Sequence, residues 1–474
     1  MIKVVVSKKI ADLISAAAEV NTGFKFNQDH CYRLLKSISH FYNLNRDRSD
    51  DGFVSVYSTY LQSISHEYKL YMDWMEQVGI IEVDHSYQNS HPDASKNYCK
   101  YYSIVPPPDD FMPNDRDRLV QVEFKENAAI KIFLTSVKRT DGLSFLVKWL
   151  KKLTIEEQMA HDLNDDIFQE DQISPRIGYR KGEYQYEHYR INPSRAKTAR
   201  KENIVAIRSK QFYMNRDETS GRLHSNVTGL SSRIFPALRI DGKPLVGYDI
   251  ANSQPFLCSA LINLILNKGQ KMGKLLQSPP SNHILTPQTS LLSNSSFLSY
   301  LKSYIPTKTL TLLVMLEDFL SEADLTGVLE FQSLCINGQL YSEIARNVFG
   351  FEYENKNKRR VKDLFFTLFF TKPGNNKGGI PLFKRKYPGV HQIISKIKGL
   401  SDDSNFFPIL LQCLESYYIL EKVCKRMKKE VPKAPLFTKH DSVYTTAEYL
   451  AQLKLIMEEE AMNLFGVVPT LNNA

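Results

Sequence analysis

The stretches GYDI, residues 247–250, and KHDSV, residues 439–443, decide the predicted fold of the second half of this chain. Each has an aspartate, Asp249 in the first and Asp441 in the second, directly after a short apolar or β-prone run. A strand in such a place presents its carboxylate at an edge. Carboxylate oxygens are the ligands that Mg²⁺ prefers, so the two stretches predict a pair of carboxylates that holds divalent metal ions.

A basic and aromatic helix face is predicted between these two stretches. Lys358, Lys362, Phe366 and Phe370 follow one another at intervals of four residues. Because an α-helix has 3.6 residues per turn, this spacing places two cations and two rings along one face. Such a face can hold a triphosphate. Together with two metal-binding aspartates, it is the minimum chemistry of a nucleotide polymerase.

The composition predicts a globular, multidomain protein without a membrane span. A chain of 474 residues suggests two or three domains, and a hydrophobic fraction of 42% suits packed cores. The sequence has no apolar stretch long enough to cross a bilayer, and its beginning lacks the features of a secretory signal. Its six cysteines form no Cys-x-x-Cys pair, which argues against zinc and disulfides and favours a cytoplasmic protein.

The positive charge is concentrated in two clusters that flank the chemistry-bearing segments. The net charge of +9 is compatible with a polyanionic partner, and the clustering favours phosphate binding over a merely solvated surface. The first cluster comprises Arg176, Arg180, Lys181, Arg190, Arg195, Lys197, Arg200 and Lys201; the second comprises Lys356, Lys358, Arg359, Arg360, Lys362, Lys372, Lys377, Lys384, Arg385 and Lys386.

Residues 1–105 are predicted to form one domain. Helices are expected at 28–42, at 54–61 and from about 65 to 79, followed by β-prone residues 80–83 and 101–105. Three helices followed by a two-stranded wing resemble a winged helix-turn-helix, which implies that the third helix binds a nucleic acid; contact with other replication proteins is the alternative. The exposed face of that helix would consist of His66, Tyr68, Lys69 and Asp73, with Trp74 in the core.

A linker and a helical region are predicted to follow, over residues 106–214. Pro106, Pro107 and Pro108 break the chain and mark the linker. Residues from about 118 to 168 carry the apolar faces expected of helices, and we predict a thumb-like region here.

From about residue 215 to the end, the chain resembles family A DNA polymerases. SGRLHS (220–225) is similar to the element before the palm, PLVGYDIANSQP (244–255) to motif A, and RRVKDLFFTLFF (359–370) to motif B. YPGV (387–390) matches the segment after motif B, FPILLQ (407–412) resembles the Pro-Ile-Gln helix, and HDS (440–442) resembles motif C. The Asp-Ser form of motif C is similar to that of the single-subunit phage-type RNA polymerases, which share the palm.

The resemblance implies an α+β fold. It would consist of an N-terminal winged-helix-like domain (1–105), a helical thumb-like region (106–214) and a right-hand polymerase palm and fingers core (215–474) with an antiparallel palm sheet. An insertion is expected near residues 268–335, where the part from 277 to 296 is rich in Ser, Pro and Asn.

The resemblance also implies roles at the catalytic centre. Asp249 and Asp441 would bind two Mg²⁺ ions, or Mn²⁺ in their place, and Lys362 would hold the triphosphate and protonate the leaving pyrophosphate. Gln254 stands where the DNA polymerases have a glutamate that excludes the ribose 2′ hydroxyl. The other nucleotide-binding residues would be Lys358, Arg359, Phe366 and Phe370, with Phe365 and Phe369 in the core.

Further residues are implied to contact the nucleic acid. Arg222 and His440 would lie at the primer end, and Gln412 would contact base edges in the minor groove. Gln339 and Tyr341 are expected to line the same cleft. Lys69 would contact nucleic acid from the N-terminal domain.

The sequence therefore predicts a DNA polymerase without a proofreading exonuclease, of the kind that replicates a mobile element, plasmid or phage. Its partners would be a DNA primer-template and nucleoside triphosphates, with RNA as an alternative template. A primer-independent RNA polymerase or primase on the same palm is the first alternative, supported by Ser442. A non-catalytic replication initiator is the second.

Overall fold

The computed structural model describes residues 2–19, 22–44, 53–56, 58–84, 100–105, 119–127, 140–174, 177–181, 186–190, 192–267, 295–316, 326–354 and 358–474. It is a mixed α+β structure with several small antiparallel sheets. The chain divides into two compact units: unit 1 comprises Met1–Thr140, Leu150–Asn215 and His224–Pro244, and unit 2 comprises Asp141–Trp149, Arg216–Leu223 and Leu245–Ala474. Among the helices of the described ranges, none combines the length and apolar character that a membrane crossing needs.

The described helices are numbered in chain order. They are α1 (Lys8–Ala17), α2 (Gln28–Leu44), α3 (Ser58–Ile64), α4 (Tyr68–Gln77), α5 (Ser144–Lys152), α6 (Glu157–Ile173), α7 (Pro193–Arg208), α8 (Asn226–Gly229), α9 (Ser253–Asn267), α10 (Ser295–Leu301), α11 (Thr307–Met315), α12 (Val328–Ile336), α13 (Leu340–Glu343), α14 (Lys358–Phe370), α15 (Ile380–Lys386), α16 (Pro388–Lys398), α17 (Phe406–Ser416), α18 (Lys425–Glu430) and α19 (Leu450–Phe465). Wider π-helical turns follow α13 at Ile344–Val348 and α17 at Tyr417–Cys424, and 3₁₀ turns lie at Ser232–Ala237 and Ala447–Tyr449.

The strands are numbered in the same way. They are β1 (Ile2–Ser7), β2 (Val54–Val56), β3 (Ile81–Asp84), β4 (Lys100–Ile104), β5 (Leu119–Phe124), β6 (Thr154–Ile155), β7 (Ile177–Lys181), β8 (Tyr186–Arg190), β9 (Met214–Arg216), β10 (Leu223–Ser225), β11 (Leu238–Ile240), β12 (Lys243–Pro244), β13 (Val246–Ile250), β14 (Phe437–Lys439), β15 (Ser442–Thr445) and β16 (Leu471–Asn473). In unit 1, β1 pairs with β5, β7 with β8, and two three-stranded sheets have the orders β2-β4-β3 and β12-β11-β6.

The core of unit 1 includes the predicted helix at 28–42, observed as α2. Its apolar stripe, Cys31, Leu34, Leu35 and Ile38, is buried, as the spacing predicted. The prediction of a helix at 54–61 was wrong in its first half. Residues 54–56 form strand β2, because the β-branched Val54 and Val56 alternate with a half-buried serine at the two-residue period of a strand.

Helix α4 differs from its prediction at Tyr68. This side chain was expected on an exposed face, but it is only 9% exposed. It stands at the start of the buried stripe Tyr68, Tyr71, Met72 and Met75, whose spacing of three and four residues faces the core. His66, Lys69 and Asp73 are exposed as predicted, and Trp74 packs partly buried against the core. Gly79, at a positive φ of 72°, follows the helix end as expected of a C-terminal glycine.

Helix α7 carries charged side chains into the interior of unit 1. It begins after Asn192, whose side chain accepts a hydrogen bond from the Arg195 backbone amide at 2.9 Å. Glu202 pairs with Lys36 of α2 at 2.5 Å, and both side chains are at most 4% exposed. Arg200 is 1% exposed and donates to Asn164 of α6 at 2.6 Å.

The burial of Arg200 corrects the prediction that the first basic cluster is available to bind phosphate. Arg200 is not a surface cation, because a buried guanidinium needs internal acceptors and finds them on α6. Arg195 pairs with Glu82 at 2.9 Å and Lys197 with Asp165 at 2.8 Å. Arg176 and the side chains of Arg180, Lys181 and Arg190 lie outside what the structure describes.

Unit 2 is built on a four-stranded antiparallel sheet with the order β14-β15-β13-β16. In its register, Val246, Gly247, Tyr248 and Asp249 stand opposite Thr445, Tyr444, Val443 and Ser442, respectively. Helix α9 follows β13 and is buried along most of its length, packed against α12, α17 and α19. An apolar helix without a polar face belongs in a core, and this one anchors the sheet.

The predicted insertion at 268–335 contributes to the core of unit 2 where the structure describes it. Phe297 and Leu301 of α10 and Phe331 of α12 are fully buried. Most of its Ser-, Pro- and Asn-rich part, residues 277–294, lies outside the described residues.

Gly247 allows strand β13 to approach β15 closely. A Cβ atom on residue 247 would lie 2.3 Å from the Val443 carbonyl oxygen and 2.9 Å from the Tyr444 Cα atom. We expect Gly247→Ala to destabilise the protein by about 2–3 kcal/mol, because backbone atoms must move to relieve the overlap. Urea unfolding measures this effect, with Gly399→Ala as the control, since a Cβ there meets nothing closer than 3.4 Å. Equal stability of the two variants would contradict the prediction.

Candidate active site

The sheet of unit 2 brings Asp249 and Asp441 to neighbouring positions. Asp249 is the partner of Ser442 in the β13–β15 pairing, although the two are 193 positions apart in the chain. The Ser442 hydroxyl donates a hydrogen bond to Asp249 Oδ1 at 2.6 Å. Since Lys439 pairs with Ser442, Asp441 belongs to the two-residue turn between β14 and β15. The turn thus places the second carboxylate beside the end of β13.

The surroundings of Asp441 oppose its negative charge. Burial, then the charges of Glu415 and Asp249, hold the pKa of Asp441 well above its ordinary value, and a backbone hydrogen bond offsets part of the effect. Two like charges close to a half-buried carboxylate favour the binding of a cation or a proton. The electrostatics of this site therefore suit a positively charged ligand.

The backbone is strained beside both aspartates. His440, which precedes Asp441, has a φ of 53°, and Asn252, three residues after Asp249, has a φ of 51°. Residues other than glycine enter this left-handed region at a cost of about 1–3 kcal/mol, and such outliers cluster at functional sites. The strain supports a functional role for the two turns.

Glu415 of α17 joins the site and was not predicted from the sequence. Its side chain is 2% exposed and pairs with Arg222, whose Nε and Nη2 atoms donate to Oε1 and Oε2 at 2.8 Å each. Gln254 Nε2 donates to Glu415 Oε2 at 3.2 Å. Burial disfavours the charged form of Arg222, but Glu415, Asp441 and Asp217 more than compensate and raise its pKa. In the sequence, the indication is that Glu415 is the one acid of α17, a helix that begins with the apolar run FFPILL.

Arg222 is held by a loop that the side chain of Asp217 organises. Asp217 accepts hydrogen bonds from the backbone amides of Thr219 at 2.8 Å, Ser220 at 2.6 Å and Arg222 at 3.0 Å. Ser416, the last residue of α17, donates to the Ser220 carbonyl oxygen at 2.6 Å. Asp217 was missed in the sequence because its role depends on a local loop conformation rather than on a periodic pattern.

The predicted basic and aromatic face exists on helix α14. Lys358, Lys362 and Phe366 are exposed, and Phe370 is half-buried. The rings of Phe366 and Phe370 lie 5.6 Å apart between centroids. An exposed phenylalanine beside lysines is a surface on which a base or a sugar can pack.

The opposite face of α14 packs inward. Phe365 and Phe369 are buried, which confirms the sequence prediction for these two residues. Arg359, predicted to bind nucleotide, is half-buried on the same helix.

Tyr341 packs against the buried face of α14. Its ring centroid is 5.6 Å from that of Phe365. Burial is the main cause that raises the pKa of Tyr341, and the charge of Asp441 contributes after Tyr353 and Cys335. Tyr341 therefore packs against α14 and interacts with the charge of Asp441, and its place in a substrate cleft stays a prediction.

The remaining predicted contacts lie in different parts of the structure. Gln412 is half-buried on α17, one helical turn before Glu415, and His440 is half-buried in the β14–β15 turn. Lys69 is exposed on α4 of unit 1.

The two aspartates fit a magnesium site in their chemistry. In the described ranges, no three His, Cys, Asp or Glu side chains come together as a metal site. Mg²⁺ nevertheless binds through one or two carboxylates and completes its shell with water and substrate phosphates. Asp249 and Asp441 supply this kind of donor set, and Glu415 is occupied by Arg222.

Comparison of the chain with models of protein families, with curated proteins and with solved structures found no match. Any proposal for the function of this chain is therefore argued from the residues of the site.

Proposed function

We propose that this chain catalyses template-directed nucleotidyl transfer, as a DNA-directed DNA polymerase without proofreading. The observation that carries the proposal is the pairing of Asp249 with Ser442, which brings Asp441 to a position beside Asp249 at one end of the two inner strands of the sheet. Carboxylates distant in sequence that come to neighbouring positions in a half-buried, negatively charged site suit phosphoryl transfer, which depends on charge neutralisation and positioning more than on covalent chemistry.

Asp249 and Asp441 would hold the metal ions. When bound, two Mg²⁺ ions activate the attacking hydroxyl and stabilise the leaving pyrophosphate. The protein's part is to hold the carboxylates: Ser442 donates a hydrogen bond to Oδ1 of Asp249, and the turn between β14 and β15 carries Asp441. The hydrogen bond and the turn would keep the two ligands in place before substrate arrives.

Helix α14 would bind the incoming nucleotide. The exposed ammonium groups of Lys358 and Lys362 suit the triphosphate, and Phe366 beside them suits the base or sugar. The buried face of the same helix packs against Tyr341, whose ring contacts that of Phe365.

The N-terminal part of unit 1 would recruit the enzyme to DNA. The chain order α2-β2-α3-α4-β3-β4 and the sheet order β2-β4-β3 suit a winged helix-turn-helix. His66, Lys69 and Asp73 are exposed on or just before α4, which would be the helix that enters the major groove. Lys69, the basic residue among them, would donate hydrogen bonds to a DNA phosphate or to a guanine base.

A second candidate function is a primer-independent RNA polymerase or primase. Ser442 favours it, since a serine after the second metal aspartate is typical of the phage-type RNA polymerases in the resemblance stated above. Here the Ser442 hydroxyl bonds to Asp249, a role that is compatible with either enzyme.

Extension of a labelled primer on DNA and RNA templates with Mg²⁺ tests the proposal. Separate reactions contain dNTPs or rNTPs, and one set omits the primer. Growth of the primer with dNTPs on DNA supports the DNA polymerase. Products from rNTPs alone, or without primer, support the second candidate, and the absence of all products together with retained DNA binding supports a non-catalytic initiator.

Lys362 is expected to contribute to nucleotide binding. Loss of its charge in Lys362→Ala should raise the KM for nucleotides roughly 10- to 100-fold, the equivalent of one charge-assisted hydrogen bond. Lys362→Arg should retain most of the affinity. Lys433→Ala, at an exposed lysine outside both basic clusters, is the matched control. A KM unchanged in Lys362→Ala would exclude this residue from the triphosphate site.

A further inference from the structure

Arg360 lies on a different side of helix α14 from Lys358 and Lys362. Successive residues of an α-helix are about 100° apart around its axis, so a side chain two positions away lies about 200° round, near the opposite side. Arg360 is two positions after Lys358 and two before Lys362, and all three side chains are exposed. The guanidinium of Arg360 is therefore separate from the face proposed for the triphosphate.

Two phenylalanine rings support this guanidinium. Its Cζ atom lies 4.9 Å from the ring centroid of Phe349 and 5.5 Å from that of Phe351. The two rings are stacked, with centroids 5.6 Å apart and planes inclined by 5°. Because a cation is attracted to the face of an aromatic ring, the stacked pair holds the guanidinium in one place.

The two rings are themselves fixed by the protein. Both are half-buried. Gly379, just before α15, leaves room for Phe349: a Cβ atom on residue 379 would lie 2.7 Å from Phe349 Cζ. A ring packed against the backbone in this way has little freedom to turn aside. Phe349, Phe351 and Arg360 therefore form a platform that exists before any ligand binds.

The guanidinium of Arg360 is not engaged by an acceptor of the protein. Within the ranges that the structure describes, the Arg360 side chain makes no hydrogen bond or ion pair and interacts with the two rings instead. Arg346, on the helical turn before Phe349, differs, since it pairs with Glu352 at 3.4 Å. A guanidinium has five N–H donors and a flat face, so that of Arg360 is available to an external ligand.

The chain around this platform is cationic. Residues 364–401 contain several lysines and arginines and no aspartate or glutamate. Lys372 and Lys377, between α14 and Gly379, are exposed. Such a surface attracts a polyanion, whereas the platform suits a flat apolar group. A nucleic acid strand combines the two, because its phosphates alternate with planar bases.

We propose that Arg360, Phe349 and Phe351 form a stacking site for an unpaired base of a single-stranded nucleic acid. The base would pack on the guanidinium and the rings, as bases do on arginine and aromatic side chains in proteins that bind single strands. A duplex fits less well, because its bases are already stacked on one another. The site goes beyond the proposed nucleotidyl transfer: it binds a strand rather than a nucleoside triphosphate, and it needs no catalysis.

Binding of short strands to the full chain tests the site. Fluorescence anisotropy gives the Kd for an end-labelled oligothymidine and for an abasic strand with the same number of phosphates. The wild type is expected to bind the oligothymidine about tenfold more tightly, since stacking of a single base contributes affinity of that order. Measurement without nucleotides and metal ions keeps the result independent of catalysis.

Arg360→Lys isolates the stacking contact. It retains the positive charge but loses the flat guanidinium, so the affinity for the oligothymidine should fall about tenfold while that for the abasic strand stays the same. Phe351→Leu removes one of the two supporting rings and should cause a loss of the same kind; circular dichroism checks its fold. The matched control is Arg233→Lys, because Arg233 is exposed, lies in unit 1 outside both basic clusters and pairs with Glu170. It should leave both affinities unchanged.

Four results would overturn the inference. Equal affinity of the wild type for the two strands would mean that no base stacks, and so would the absence of binding to either. An equal loss for both strands in Arg360→Lys would make Arg360 a phosphate contact. An unchanged affinity for the oligothymidine in that variant would remove Arg360 from strand binding. Primer extension is a separate readout: a selective loss in Arg360→Lys supports the site even where no nucleotide is incorporated, so failure of the site is distinguishable from failure of the proposed function.

Discussion

Asp249→Asn and Asp441→Asn are each expected to abolish nucleotide incorporation, a fall of roughly a thousandfold or more. Asparagine keeps the shape of the side chain but loses the charge that holds a divalent metal ion. Binding of a DNA duplex should change little, because phosphate contacts to cationic side chains dominate that affinity. Primer extension measures the first effect, and a fluorescence-anisotropy titration of labelled duplex measures the second.

The matched control is Asp402→Asn, the same chemical change at an exposed position of the loop before α17. It should leave incorporation intact. Wild-type incorporation by either Asp249→Asn or Asp441→Asn would remove that aspartate from the metal site. Loss of duplex binding together with incorporation would mean that the variant has lost its fold rather than a ligand.

Lys36→Met is expected to destabilise unit 1 by about 3–5 kcal/mol. The substitution leaves Glu202 ionised in the interior, where its side chain is 2% exposed and Lys36 is its cationic partner at 2.5 Å. Glu202 also accepts the backbone amide of Val5, so the pair connects β1, α2 and α7. Urea unfolding of the full chain measures the loss.

The control is the double variant Lys36→Met with Glu202→Gln. The neutral amide can still accept from Val5, and no charge remains unpaired, so most of the lost stability should return. A double variant as unstable as Lys36→Met alone would show that packing of the lysine, and not the unpaired charge, is responsible. Removal of residues 1–105 deletes Lys36 and β1 together, and it should destabilise α7 for the same reason.

Local patterns in the sequence predicted those features that depend on near neighbours. The four-residue spacing of Lys358, Lys362 and Phe366 predicted an exposed helix face, and that face is present on α14. Phe365 and Phe369, one residue earlier in the same pattern, were correctly assigned to the core. Helical periodicity is a property of consecutive turns, so it is visible without a tertiary structure.

Local patterns failed where a side chain had two compatible environments. Tyr68 fits an exposed helix face and a buried one, and packing on the core of unit 1 decided for burial. Residues 54–56 fit a short helix and a strand, and pairing with β4 decided for the strand. In both cases the tertiary contacts outweighed a weak local preference.

The sequence by itself determined the aspartates, the basic helix face and the prediction of a nucleotide polymerase, because residue type and spacing carry that information. Only the tertiary structure decided that Asp249 faces Ser442, that Glu415 holds Arg222 and Gln254, and that Glu202 is neutralised by Lys36. These contacts join residues more than a hundred positions apart, and charge or hydropathy along the chain does not encode such pairings. They arise because a buried charge requires a partner, and the fold supplies the partner nearest in space.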